Sequence, residues 1–582
     1  MADCRKQILA ALVLSACLGC QIHLMDSEPE LYGPDAAYSD PASLVTTESQ
    51  ASIHDAPAPI SIPAKPMSTA SWNAEAPEWR LSIEDAVMLT LQGNRRLMVS
   101  QYQRDINCQQ ILAEESIYDP IISVGTQWSE ADSQLTSIVE GPGGNTTVQN
   151  VDQFGPPRGL GDQAELSQKL PTGGEFSAGV SSSYQFTTPP GPFLIYNPAV
   201  RSTAFVEFTQ PLIRGSGQDI TEIRIRMAET AFQSENHRLE IQIRQTVTET
   251  AIAYWTLFGA RAMLASREQG VKESEAILKA ETERMELGDS SRRDVAAATA
   301  KLEEFRVHRA RTQRFVADAE RRLRSLMGVP LEDGRKIIPT TTPLTEEWPA
   351  DWDTSAQMAV TCRPEVSLQR SVLQEAELEH FAADDNLRPD VKGYAGWGLS
   401  GLDSQLDGSL EELATMDYEN WWAGVVYRHE LGGRRARSLY EQAQLKLCRQ
   451  RATIELTEED IFEELHRAYQ QLMNAWEVLQ LTQSQRTSAA EVLSARKDMH
   501  ALGELDLQDY LTSLSDWEQA TAAQQAAIGD YNAAVIQWEF ARGTILEHQH
   551  IFLGSTPTTS ESATGPQQES FRDPRTLEAS VP

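Results

Sequence analysis

The sequence predicts an α+β membrane protein, internally duplicated, in which long antiparallel coiled coils adjoin strands of a transmembrane β-barrel. Three observations predict it. Short segments alternate apolar with small or polar residues at period two. Long proline-free stretches repeat apolar residues in heptads. Both features recur at a near-constant offset along the chain.

The N-terminus comes first. Arg5 and Lys6 precede a short apolar run, Ile8 to Leu14, and then Ser15-Ala16-Cys17. A basic start, a brief apolar stretch and small residues before a cut describe an export signal, too short to span as a helix. Leu14-Ser15-Ala16-Cys17 resembles the lipobox of bacterial lipoproteins. That resemblance makes residues 1–16 a signal peptide and Cys17 the lipidated first residue, with Cys20 as the alternative. An ordinary signal peptide with incidental cysteines is the plainer reading. Residues 17–80, rich in Pro, Ala, Ser and Asp, read as a flexible tether. Beyond the signal no run of 18 apolar residues occurs, so any membrane crossing must use strands.

The chain has 582 residues, 41% of them hydrophobic, and a net charge of -34. That length requires several domains or one repeated unit. The acidity disfavours a nucleic-acid partner, because phosphate repels it. It fits a large solvated helical surface, or an acidic cavity that favours cations. Cys108, Cys362 and Cys448 lie far apart with no metal-binding spacing, and Cys108 and Cys448 are expected to be small buried helix residues.

The repeat is read from register. At an offset of 269, Pro120 meets Pro389, Ile122 meets Val391 and Trp128 meets Trp397. Further on the offset is 215, where Tyr254 meets Tyr469, Gly288 meets Gly503, Asp294 meets Asp509 and Gly328 meets Gly543. The first copy therefore carries about 54 more residues in its strand region, with Gly/Pro-rich loops. The expected organisation is repeat 1 over 81–328 (a helix, strands within 121–210 and a hairpin over 216–328), then a linker over 329–354. Repeat 2 covers 355–545, with strands within 390–429 and a hairpin over 434–543, and a disordered tail covers 546–582.

Asp119 to Trp128 reads as one strand with Ile122, Val124, Thr126 and Trp128 on one face. Phe176, Ala178, Val180, Tyr184 and Phe186 share a face of a second strand, and Asp390–Leu399 and Trp421–His429 alternate likewise. Strands of about ten residues, apolar on one side and small or polar on the other, fit a membrane barrel or a soluble sandwich. Export favours the membrane. Four to six strands cannot close a barrel, so neighbouring chains must complete it. Two spanning strands per copy would give twelve in three chains. The alternating segments at 163–170 and 175–186 either add two strands per chain or form an external hairpin.

From about Gln218 to Gly288 there is no proline, which is roughly 105 Å of helix at about 1.5 Å per residue. Ile461, Leu465, Ala468, Leu472, Ala475 and Leu479 step by four and three, as do Ala253, Leu257, Ala260 and Leu264. Alternating small and large residues suit close antiparallel coiled coils, the wall of a stiff tube.

The segments LSIEDAVMLTLQGN, QPLIRGSGQD, AYWTLFGA, RMELGDSSRRDVAAATAKL and RLRSLMG resemble the outer membrane efflux protein (TolC-like) family, over roughly residues 81–545. The resemblance implies a homotrimer whose β-barrel sits in outer-membrane lipid and whose coiled coils form an α-barrel across the periplasm. It also implies partnership with a periplasmic adaptor and an inner-membrane pump, in efflux or type I secretion, without catalysis or a cofactor. A periplasm-spanning scaffold or adhesin without a pore is the alternative.

Candidate positions follow. The turns at Gly288-Asp289 and Gly503-Glu504 are expected at the coiled-coil tips, where glycine suits a left-handed helix end. The resemblance implies that these tips close the tunnel and that Asp509 lines its constriction, while Thr512 replaces a second aspartate. Asp294 is the matching position in repeat 1. Its family partner, an arginine, is Leu505 here, and His500 replaces a tyrosine. Both aspartates also suit helix capping. Trp128 and Trp397 are candidates for an interfacial aromatic belt or for packing within the barrel. Glu377/His380, Glu463/His466 and Glu547/His550 match the Glu-x-x-His spacing of di-iron bundles. A Glu-rich helical chain with ten histidines produces such pairs by accident, so no metal site is predicted; a soluble metalloenzyme is the outlying alternative.

Overall fold

The computed structural model describes residues 77–134, 148–156, 163–188, 190, 194–288, 290–331 and 334–551. Cys17, Cys20, the signal segment, most of the tether, Asp289 and most of the tail lie outside them. Residues 64–549 form one compact unit, and of the other unit, 1–63 with 550–582, only residues 550 and 551 are described.

The unit opens with β1 (Glu78–Leu81), α1 (Ile83–Gly93) and α2 (Arg95–Glu115). The Ser82 hydroxyl caps α1 by accepting from the Asp85 N–H, and the Asn94 side chain caps α2 by accepting from the Arg96 N–H. Strands β2 (Ile121–Val124), β3 (Gln127–Gln134), β4 (Val148–Gly155), β5 (Ala164–Lys169), β6 (Glu175–Thr188) and β7 (Ala199–Pro211) follow. A one-turn helix over Gln218–Thr221 precedes α3 (Ile223–Leu287) and its returning partner α4 (Arg292–Met327). Then come β8 (Lys336–Pro339), α5 (Trp352–Cys362), α6 (Pro364–Asp385), β9 (Asp390–Asp403), α7 (Leu406–Thr415) and β10 (Glu419–Arg428). The second hairpin is α8 (Arg434–Ala501) with α9 (Leu507–Arg542).

The two hairpins pack together through α3 and α9. Gly259 and Gly529 let these helices touch backbone to backbone, since a Cβ on Gly529 would lie 3.0 Å from the Trp255 carbonyl. Arg267 of α3 pairs with Glu518 of α9, whose side chain is fully buried. The expected heptad is the core: Ile461, Leu465, Ala468, Leu472 and Leu479 are buried against Tyr531, Val535 and Trp538, with Ala475 packed alongside.

Several expectations change. The proposed strand Asp119–Trp128 is two strands, parted at Gly125-Thr126: β2 pairs with β5 and β3 with β4. The long helix breaks once at Glu222, after the one-turn helix. Residues 78–80, read as tether, belong to β1, which pairs in parallel with β8 inside the supposed linker. The Tyr254 hydroxyl holds that small sheet to α3, donating to the Leu81 carbonyl at 3.0 Å and accepting from the Thr341 N–H at 3.0 Å. Residues 545–548, placed at the repeat's end and in the tail, form a helical turn with Ile545 and Leu546 buried. Cys108 and Cys448 are exposed, not buried, because they fall off the apolar stripes of α2 and α8. The α7 helix had no counterpart in the sequence reading.

Candidate functional site

The large sheet has eight strands in the order β10-β9-β7-β6-β4-β3, with β5 between β6 and β2, and every pair is antiparallel. Register sorts its side chains. One row runs Ile122, Leu166, Ala178, Val206, Trp397 and Trp421. A second runs Val124, Ala164, Val180, Ala204 and Leu399 to Glu419. Trp128, Phe154, Tyr184 and Val200 form a third, with Trp128 6.0 Å from Phe154 and 6.4 Å from Tyr184. The opposite face carries Ser123, Glu165, Gly179, Phe205, Gly398 and Asn420 in one row.

Outside the patch under the short helix α7, where Val200, Ser202 and Leu399 are buried, the apolar face covers no core. Ile122 is 74% exposed, Val425 68% and Trp421 78%. The polar face is the sheltered one: Gly179 is buried, Glu207 is half-buried, and its carboxylate accepts from the Trp422 indole N–H at 2.7 Å. This inverts the usual arrangement of a sheet in water, where the apolar side is packed away.

Trp128 stands in the aromatic row near one end of the sheet, and Glu130 and Asp132 beyond it share its face. Trp397 stands in the middle of the sheet, paired with Val206 and Trp421, so the two tryptophans do not share one level. The α7 helix lies on this apolar face, where the Ser409 hydroxyl bonds that of Ser202 at 2.8 Å. Leu406 and Leu410 then wall a cavity of about 680 Å³ with Trp128, Phe154 and Tyr184.

The other candidate region is the pair of hairpin tips. Gly288 ends α3 with φ 87°, and Gly503 follows α8 with φ 76°, both left-handed. Asp294 is a capping-box residue: its carboxylate accepts from the Ser291 N–H and from the Ser291 hydroxyl at 2.6 Å, and these bonds hold its pKa below the ordinary aspartate value. Asp509 occupies the first turn of α9 and is exposed, as are Glu504 and Thr512.

The contacts joining the tips use His500, singled out in the sequence, together with residues that sequence reasoning missed. Glu281, buried on α3, accepts from Arg284 at 2.9 Å and from the Ser290 hydroxyl at 2.7 Å, and lies 3.3 Å from Nε2 of His500 on α8. His500 Nδ1 is 3.0 Å from the Leu505 carbonyl, and its ring stacks on Tyr510. Arg293 bridges to Asp506 at 3.1 Å. Burial pushes the Glu281 carboxyl up, but the bonds from Ser290, His500 and Arg284 outweigh it and hold its pKa low. The signal available in sequence was that Glu281 and His500, near equivalent turns, are each seven or three residues before a tip glycine.

Residues 206–329 match the family model of outer membrane efflux protein. The fold is similar to the Campylobacter jejuni CmeC outer membrane channel, at 15% identity over 80% of this chain and 86% of that one, with a TM-score of 0.58. It is also similar to the open state of the Neisseria gonorrhoeae MtrE outer membrane channel (15% identity, 80% and 89% covered, TM-score 0.56). The Vibrio cholerae outer membrane protein VceC matches at 13% identity over 79% and 96%, with a TM-score of 0.56. No curated protein matches the sequence.

Proposed function

From the outer membrane efflux protein domain in residues 206–329 and the channel fold around it, we propose that this chain is a passive exit duct. It works as the outer-membrane component of a tripartite efflux or type I secretion system, receiving substrate from a periplasmic adaptor and an inner-membrane pump. The observation that carries this reading is the inverted sheet, whose apolar side is open outside the patch under α7 and whose polar side is sheltered. Lipid covers the first and water fills the second.

Three copies close the ring. The edge strands β2 and β3 on one side and β10 on the other have no further partner among the described residues, and unpaired edges in hydrocarbon are too costly to persist. Val99, Tyr102 and Ile106 form an exposed apolar stripe on α2 that a neighbouring copy would cover. Internal duplication is supported by element bounds. An offset of 269 carries α1 onto α5, and one of 215 carries α4 onto α9, residue for residue at both ends. The close pair Gly93 and Gly328 recurs as Cys362 and Gly543.

Lipidation at Cys17, or at Cys20, anchors the mature chain to the same membrane. The hairpin tips, with Gly288, Asp289, Asp294, Gly503, Glu504 and Asp509, form the periplasmic gate and the adaptor contact. Trp128 belongs to an aromatic belt, and Trp397 faces lipid within the band it bounds.

Purified protein in planar bilayers should give discrete single-channel conductance, and native mass spectrometry should give three copies. A folded monomer, or a trimer that never conducts, would overturn the duct; the second outcome would favour the scaffold.

A further inference from the structure

Resting on that reading, we infer that the extra hairpin of the first copy is part of the membrane wall, so that each chain contributes six staves and the ring holds eighteen. Two spanning strands per copy would give four and twelve. The stretches β2 with β3, and β5 with β4, are each one stave interrupted part-way, and they continue the sheet beyond β6. An external hairpin would leave this sheet; this one is hydrogen-bonded into it along most of β6.

Chemistry follows the same line. The apolar rows run unbroken onto the added staves: Leu166 and Ile122 extend the row of Ala178, Val206 and Trp397, and Val124 with Ala164 extends the next. Ile122 and Val124 are among the most exposed apolar side chains of the sheet, at 74% and 75%. On the other face, Ser123 and Glu165 continue the polar row. A segment outside the membrane has no reason to repeat both faces in register. The upper limit also continues, since Trp128 and Phe154 extend the aromatic row from Tyr184 and the acidic Glu130 and Asp152 lie beyond it.

Six is an even number, and each neighbour in the sheet is antiparallel. Strand β10 of one copy therefore runs opposite to β2 and β3 of the next. Copies meeting edge to edge close a ring that is antiparallel throughout. Barrel diameter grows roughly in proportion to strand number, so eighteen staves enclose a bore about 1.5 times as wide as twelve. The barrel would then pass solutes that a twelve-stave wall excludes, and selection would rest on the helical tips.

Nitroxide labels at single cysteines test the wall. The substitutions are Ile122→Cys and Leu166→Cys in the added staves, with Val124→Cys and Ala164→Cys as a second pair, and Val206→Cys and Trp397→Cys as references. In lipid vesicles, power saturation should show oxygen access exceeding that of a water-soluble nickel chelate at all six positions. References in lipid with both added pairs in water would overturn the eighteen-stave ring and leave the duct standing. References also in water would overturn the outer-membrane reading itself.

Discussion

Glycine opposite an aromatic ring recurs on the sheltered face of the sheet. Gly179 lies under Phe205, Gly396 under Trp422 and Gly424 under Tyr394, each pair on adjacent strands. A Cβ on Gly396 would overlap the Trp422 indole, whose N–H is held by Glu207, so the ring cannot swing aside without losing that bond. Gly393, one face-repeat away on the other side, has only the end of Leu212 at 3.7 Å. Gly396→Ala should therefore destabilise the sheet by about 1–3 kcal/mol, as overpacking does, and Gly393→Ala should change little. Thermal melting of the two variants in detergent, followed by circular dichroism, checks the difference.

At the scale of elements, the informative contact is the one between hairpin tips, where α3 meets α8 through Glu281 and His500. The folded Glu281 carboxyl titrates below its unfolded value. Its contribution is therefore present above the ordinary glutamate range, about pH 4.3, and is lost as pH falls through the lower folded value. Arg284, Ser290 and Asp506 with Arg293 surround the same junction. Amide hydrogen exchange, corrected for intrinsic rates, should show protection at both tips falling on acidification. Glu281→Gln should lower protection at neutral pH and flatten that dependence. An unchanged acid response in the variant would assign the effect elsewhere.

At the scale of the whole molecule, charge and symmetry act together. In the proposed trimer, three chains of net charge -34 would surround an axial path with negative potential, and the exposed Asp509 would place three carboxylates near the axis at the tip. Asp294 is less suited to that role because its carboxylate caps its own helix. Asp509→Asn should reduce the preference for cations in reversal-potential measurements under a salt gradient, while Asp294→Asn should act mainly on stability. Equal cation selectivity in wild type and Asp509→Asn would remove Asp509 from the conduction path.

The sequence by itself determined the periodic parts. Heptads at 461–479, the alternation at 176–186 and the glycines at 288 and 503 are local patterns tied to one backbone geometry each, and helices, strand faces and left-handed turns appear where those patterns stand. The two offsets were legible for the same reason, since register survives in the residues themselves. Only the tertiary structure decided what depends on partners distant in the chain. It joined the added hairpin to the main sheet, paired residues 78–81 with 336–339, laid α7 on the apolar face and brought Glu281 to His500. Each is a pairing across tens to hundreds of residues, and neither propensity nor period specifies which distant group satisfies a strand edge or a buried carboxylate.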